Sequence, residues 1–257
     1  MVLLLWHFVR LVIQLSRKKI IFFIVEGAAD SAAIYNALEK IFDLNQVSVH
    51  VADGDITSDN STTPQNIKKK IVEQIKNYFS SSGVKPSDFF EVVQLVDTDG
   101  VFIDDSKVVF DEVDKVYYGS DTIKCKNVQD IIERNKEKAA ILNILIKLPY
   151  VWKTIPYSVY FFSSNMDHVL HDNSNLNDNE KVDKAINFAK KYENDTDGFI
   201  QFFSEGNYSI NSNYNESWEF IKADSNSLKR FTNFNLLFSD KSKNNTNKNM
   251  SNKNTSA

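Results

Sequence analysis

Three short runs of β-branched and aromatic residues, IIFFIV from Ile20, VSVHVA from Val47 and FFEVVQLV from Phe89, each stop abruptly on acidic and glycine residues. Continuous apolar runs of this length, with little polar alternation, are what a strand buried on both faces requires. Such strands need helices above and below them, and the intervening segments supply the pattern. After Glu26-Gly27, the residues Ala32, Ala33, Leu38, Ile41 and Phe42 fit one helical stripe. From Pro64 to Phe79, Ile67, Ile71, Ile75 and Phe79 recur at four-residue spacing with lysines opposite. The alternation predicts an α/β fold with a mostly parallel sheet flanked by helices, its functional groups gathered at the carboxyl ends of the strands.

The rest of the chain extends that plan. A lysine- and aspartate-rich stretch after Gly100 reads as a loop, Asn127 to Leu148 as a helix, and YSVYFFSS from Tyr157 as a fourth strand leaving through Ser164-Asn165-Met166-Asp167-His168. A helix over Asp178 to Tyr192 follows, then a mixed segment holding Trp218 and Phe220, then a short basic helix around Leu228-Lys229-Arg230. From Ser239 the chain is Asn, Ser and Lys almost throughout, a composition expected to stay disordered. The opening MVLLLWHFVRLVIQL is interrupted by His7 and Arg10 and is shorter than the roughly 20 residues that span a bilayer. It is followed by Ser16-Arg17-Lys18-Lys19 rather than a small-residue cleavage site, so it predicts neither a stable membrane span nor a signal peptide. The expected division is a leader over 1–17 (an extra helix or an upstream extension), an α/β domain over 18–164, a C-terminal α+β extension of the same domain over 165–238, and a tail over 239–257.

Charge narrows the chemistry. A formal net charge of -4 offers no global attraction to a polyanion, so a partner of that kind needs local Lys/Arg clusters or bridging metal ions. The single cysteine excludes an intrachain disulfide and a multi-cysteine zinc site, and a reducing cytoplasm is the simplest compartment.

Magnesium takes oxygen ligands and is typically held through one or two carboxylates plus substrate phosphates. Two aspartates one residue apart at a strand end, Asp97-Thr98-Asp99, can aim at one ion. Glu26, at the end of a strand expected to lie beside it, can ligate the same ion or serve as general acid or base.

The stretch IIFFIVEGAADSAAIYNAL resembles the first motif of Toprim domains, an apolar strand ending in Glu-Gly with an acidic residue shortly into the next helix. VVQLVDTDG resembles the second, the Asp-x-Asp strand end, 71 residues on. The resemblance covers Lys18 to Ser164 and implies a Toprim-like (Rossmann-like) fold and phosphodiester chemistry assisted by Mg2+ or Mn2+. It implies that Glu26 is an acid/base or a ligand, that Asp97 and Asp99 hold metal, and that Asp30 matches the extra acidic position of the nuclease branch, which includes OLD-family enzymes. Gly27 would turn the backbone tightly beside a phosphate. Topoisomerases and primases need further modules for which this chain leaves little room, so water is the expected nucleophile and DNA or RNA the expected substrate. No Walker-type glycine loop is present, so the ATPase half of OLD-family proteins would come from a partner protein; anti-phage defence is the setting this implies. The Asp53-Gly54-Asp55 strand exit departs from the family pattern, as a further ligand set or as a solvated turn. Asn165 and Asp167 resemble a polar strand end of some defence-type members and are accessory candidates.

Other features have blander alternatives. Lys68-Lys69-Lys70 and Lys229-Arg230 are candidates for backbone-phosphate contacts, or simply solvated helix faces. His168 and His171, three apart, are expected to be a surface pair or substrate contacts at the edge of the site. Cys125 is expected to be a solvent-exposed bystander, and His7 and His50 structural. The rival enzyme is a phosphatase of the haloalkanoate-dehalogenase class, with Asp97 as nucleophile, Asp99 as acid/base, Ser163 for the next motif and Lys181 or Lys184 for the lysine. A non-catalytic Toprim-like module that binds nucleic acid or a partner is the alternative outside enzymes.

Overall fold

The computed structural model describes residues 19–42, 46–51 and 56–239. The leader with His7, the Asp53 and Asp55 pair, the side chain of His50 and the tail from residue 240 lie outside the described residues. In chain order the elements are β1 (Ile20–Val25), α1 (Ala28–Ile41), β2 (Gln46–Val51), α2 (Ile67–Tyr78), β3 (Phe89–Asp97), β4 (Val108–Phe110), β5 (Tyr117–Tyr118), β6 (Ile123–Cys125), α3 (Val128–Leu145), β7 (Tyr150–Val151), β8 (Ile155–Phe162), α4 (Met166–His171), α5 (Asp178–Lys191), α6 (Thr196–Glu205) and α7 (Tyr214–Lys222).

The main sheet runs β2-β1-β3-β8-β7, parallel throughout except for the short β7 at its edge. All six residues of β1 are buried, as a strand covered on both faces demands. Alternate side chains go to opposite layers. Ile21, Phe23 and Val25 pack under Ala33, Ile34, Ala37 and Leu38 of α1, while Ile20, Phe22 and Ile24 face Ile67, Ile71 and Ile75 of α2 and Ile141, Leu142 and Leu145 of α3. Ala32 is exposed, because the stripe of α1 is set by the pairs Ala33/Ala37 and Ile34/Leu38. The chain steps from β1 outward to β2, then returns past β1 to β3, so the strand order reverses between β1 and β3. In an open α/β sheet that reversal opens a crevice beyond the strand ends, where ligands bind.

The stretch after Gly100 is not a loop. It forms a small sheet, β4-β6-β5, over a satellite core of Ile103, Val108, Ile123, Cys125 and Leu228. Cys125 is therefore buried in β6 rather than exposed, and burial pushes its thiol pKa up. Nor do Leu228, Lys229 and Arg230 form a basic helix: a single 3-10 turn, Asn226–Leu228, ends before Lys229, because Leu228 is drawn under the small sheet.

Residues beyond β8 are stitched into the sheet. Phe161 N donates to Asn233 Oδ1 at 2.9 Å and Thr232 Oγ1 donates to Phe161 O at 2.7 Å. Phe203, Phe234 and Phe238 stack edge to face beneath Phe162, extending the core under α1. On the other face Trp218 of α7 is fully buried, 4.8 Å from the ring of Phe161. Among the described residues no helix is long and apolar enough to cross a membrane.

If this extension shares the core of the sheet, Trp218→Ala should destabilise the whole domain by about 3–5 kcal/mol. Urea unfolding followed by circular dichroism should then shift as one transition. A separate early phase, with the main transition unmoved, would show the extension folding on its own.

Candidate active site

β1 and β3 pair in parallel, with Phe23 opposite Val93 and Ile24 opposite Gln94, so both strands end at the same edge of the sheet. There Asp97 N donates to Glu26 Oε1 at 3.1 Å, fixing the glutamate against the neighbouring strand. Beyond Asp97 the chain stays attached to β8: Thr98 N donates to Phe162 O at 2.9 Å and Asp99 N to Ser164 O at 2.7 Å. Asp99 and Gly100 are then both left-handed, with φ of 49° and 68°. Aspartate tolerates that conformation better than most residues, and Gly100 has a second reason to be glycine, since a Cβ there would clash with Leu228.

The turn delivers Asp99 to a buried lysine. Lys138 of α3, fully shielded from solvent, donates through Nζ to Asp99 Oδ2 at 2.6 Å and lies 3.8 Å from Glu26 Oε1. Tyr118 OH donates to Asp99 Oδ1 at 3.1 Å. Arg134, one helical turn before Lys138, donates to Tyr118 OH at 3.0 Å and to Asp99 O at 3.2 Å. Burial, then the charge of Asp99, raises the Tyr118 pKa, so the phenol stays a donor.

A second acidic group adjoins this one. Asp97 Oδ1 accepts from Met166 N at 2.9 Å, which links β3 to the start of α4. One residue on, Asp167 pairs with Lys181 of α5 at 3.1 Å. Asp30, in the first turn of α1, accepts from Gly27 N at 2.9 Å. Its carboxyl is pushed up to about 6, first by burial and then by the charge of Asp167, with Gly27 and Lys181 opposing. Burial pulls the Lys181 ammonium down, and Asp167, Asp97 and Asp30 together outweigh it, leaving its pKa raised.

Glu26, Asp97, Asp99, Asp30 and Asp167 are thus brought to one edge, on three adjacent strand ends. The other candidates fare differently. Gly27 has ordinary extended backbone, φ -132°, so no turn demands glycine there; a Cβ would sit 3.2 Å from Asp30 Oδ2, and that is its constraint. Asn165 caps α4, accepting from His168 N at 2.9 Å and donating to Ser174 O at 2.8 Å. Lys68 and Lys69 are exposed on α2, Lys69 lying 3.6 Å from Glu73. Lys229 is exposed, whereas Arg230 is engaged: its Nη2 donates to Val169 O at 2.6 Å and its guanidinium lies over the Tyr208 ring. His168 and His171 are partly buried rather than a surface pair, and burial lowers both pKa values. Lys138, Tyr118 and Arg134 carry no site expectation from the sequence. A signal existed for Lys138, since Asn135, Lys138, Leu142 and Leu145 form one buried stripe of α3, which puts a lysine where only a paired charge is tolerated.

Among the described residues, no group of three or more His, Cys, Asp or Glu side chains is placed so that it could by itself hold a metal ion. The donor set nonetheless fits magnesium or manganese, because it consists of carboxylate oxygens and those ions need only one or two of them beside phosphate and water. Five carboxylates against the ammonium groups of Lys138 and Lys181 and the Arg134 guanidinium also leave an excess of negative charge for a cation to offset. Comparison with family models, with curated proteins and with solved structures returns no match.

Two stability predictions follow from these charges. A carboxyl whose folded pKa lies above its unfolded value contributes most to stability when protonated, below about pH 4, and loses that contribution as pH rises through 6. Asp30→Asn should therefore raise the unfolding free energy at pH 7.5, in EDTA, by about 1–3 kcal/mol. The gain should shrink to nothing near pH 4, as read from urea melts at both pH values; a gain independent of pH would contradict the charge argument. Lys138→Met should cost about 3–5 kcal/mol by leaving Asp99 and Glu26 unneutralised. Adding Glu26→Gln to it should recover part of that loss, and a double variant less stable than Lys138→Met would refute the pairing.

Proposed function

We propose that the protein is a Toprim-like, metal-dependent phosphodiesterase that cleaves DNA or RNA. The observation that carries this reading is that Glu26 accepts from Asp97 N and shares Lys138 with Asp99 at the crevice between β1 and β3, the two strands flanking the reversal in sheet order. Asp97 and Asp99 would hold one Mg2+ or Mn2+, with Asp30 and Asp167 available to a second, and the bound ion would supply positive charge to the phosphoryl oxygens and acidify water.

The chain's own groups have separable roles. Glu26, anchored by Asp97 N, is the group positioned to accept a proton from the attacking water. Lys138 holds Asp99 and Glu26 in place, at 2.6 and 3.8 Å, and would add a fixed positive charge where the phosphate would gain negative charge. Tyr118 and Arg134 hold the Asp99 turn in place. The phosphatase alternative fits less well. Ser163, which that reading needs for its next motif, is fully buried and its Oγ donates inward to Asn226 O at 2.9 Å. With no Walker-type loop in the sequence, any coupling to ATP would need a partner ATPase, and action in anti-phage defence belongs to the same proposal.

Purified protein incubated with single-stranded and duplex DNA and RNA should cleave at least one of them with Mg2+ or Mn2+ and none in EDTA. Asp97→Ala and Glu26→Gln should each lower the rate by about 100-fold or more. Cleavage undiminished in both variants would end the proposal, and release of phosphate from small monoesters, abolished by Asp97→Asn, would establish the phosphatase instead.

A further inference from the structure

The helix that carries Lys181 into the acidic edge carries three more lysines away from it. Lys184 and Lys191 line an open cavity of about 350 Å³, together with Asn187 and Phe188 of α5, His171 of α4 and Phe202 of α6. None of the residues lining it is a carboxylate. That is unusual in a chain of net charge -4, where Lys107, Lys124, Lys136 and Lys222 are each held by a carboxylate at 2.6 to 3.1 Å. Lys184 and Lys191 make no such pair among the described residues. His171 adds a second kind of signal: its Nε2 is buried without a hydrogen-bond partner, and its ring stands edge-on to Phe188 at 6.2 Å.

The cavity adjoins the site. Lys184 is about one helical turn beyond Lys181, and His171 about one turn beyond Asp167, so the Asp167–Lys181 pair forms the boundary between the two. Lys191 lies about 15 Å of helix axis beyond Lys181, the reach of a few nucleotides. On the far side of the site, by contrast, the cavity of about 430 Å³ beside Arg134 is walled by Asp59, Asp130, Glu133 and Glu137, which repel phosphate.

We infer that the cavity between α4, α5 and α6 is a binding subsite for single-stranded nucleic acid flanking the cleaved bond, with Lys184 and Lys191 on backbone phosphates and the half-buried Phe202 ring, backed by the buried Phe188, against an unstacked base. Cationic side chains along an aromatic surface are the combination that binds single strands without reading their sequence. The inference rests on the phosphodiesterase reading for the position of the cleaved bond, but it is testable as binding alone.

The test is fluorescence anisotropy of a short labelled single strand, DNA or RNA, in EDTA, across a salt series. Lys184→Ala/Lys191→Ala should weaken binding about tenfold and flatten the slope of log affinity against log salt by about 0.7 per lysine. Lys85→Ala/Lys147→Ala, on exposed segments before β3 and β7, should leave both unchanged, and thermal melts should confirm that both double variants are folded. Unaltered affinity and slope in the α5 variant would overturn the subsite, as would an equal loss on a blunt duplex of the same sequence. Cleavage assays keep the two proposals apart. Metal-dependent cleavage at the wild-type rate and KM in the α5 variant sinks only the subsite, whereas weakened binding in a protein that never cleaves sinks only the phosphodiesterase.

Discussion

A lysine ammonium with no solvent contact is the constraint around which the acidic edge is organised. Taking a charge out of water costs several kcal/mol even after relaxation, and only close, well-placed partners offset it. Lys138 has those partners in Asp99 and Glu26, which come from the ends of two different strands. The ion pairs therefore clamp α3 to β1 and β3 together, and any slippage of either strand would leave the ammonium exposed to a low-dielectric interior. Because the lysine imposes the geometry, the carboxylates are positioned before any ligand arrives, which is what preorganised charge in an active site requires.

Topology decides where that clamp can form. β1, β3 and β8 are consecutive in the sheet and parallel, so their carboxyl ends share one edge. Helices on both faces follow from strands that are apolar on both sides, and they leave that edge as the place where polar groups from several elements can converge without crossing a core. Each strand contributes through a different device. Glu26 stands directly at its strand end, Asp97 is the last residue of its own strand, Asp99 depends on the left-handed turn that it forms with Gly100, and Asp167 arrives through the capped first turn of α4.

The parts of this arrangement that were legible in the sequence are those where burial is complete. IIFFIV is buried at every position and shows no period other than its length, and Ile67, Ile71 and Ile75 all face the core from α2. What escaped is built from tertiary choices. Strands of two or three residues, such as Tyr117–Tyr118 and Ile123–Cys125, are too short to carry a pattern, so Cys125 looked solvated when it lies in a satellite core. Lys138 sits in the charged run NKEKAA, where neighbouring lysines are solvated, and nothing local distinguishes it except its place on the stripe that ends in Leu142 and Leu145. Arg230 shows the converse: a basic residue that invites a phosphate is instead engaged in closing the end of α4 through Val169 O.

Charge then gives the edge a direction. A polyanion approaching a molecule of net charge -4 is repelled over most of its surface, and the wall of Asp59, Asp130, Glu133 and Glu137 beside Arg134 repels it close to the site itself. On the α5 side the sequence of charges is different, running from Asp167 paired with Lys181 to Lys184 and Lys191, which have no carboxylate partner among the described residues, Lys191 standing over the Tyr192 ring. For the proposed nucleic-acid strand, the α5 side would therefore be the approach of lower electrostatic cost to the five carboxylates. The same asymmetry accounts for Lys181 having Asp167, Asp97 and Asp30 around it. It stands where the attractive rim meets the acidic centre, and either a phosphate or a divalent cation arriving there must first compete with an existing ion pair.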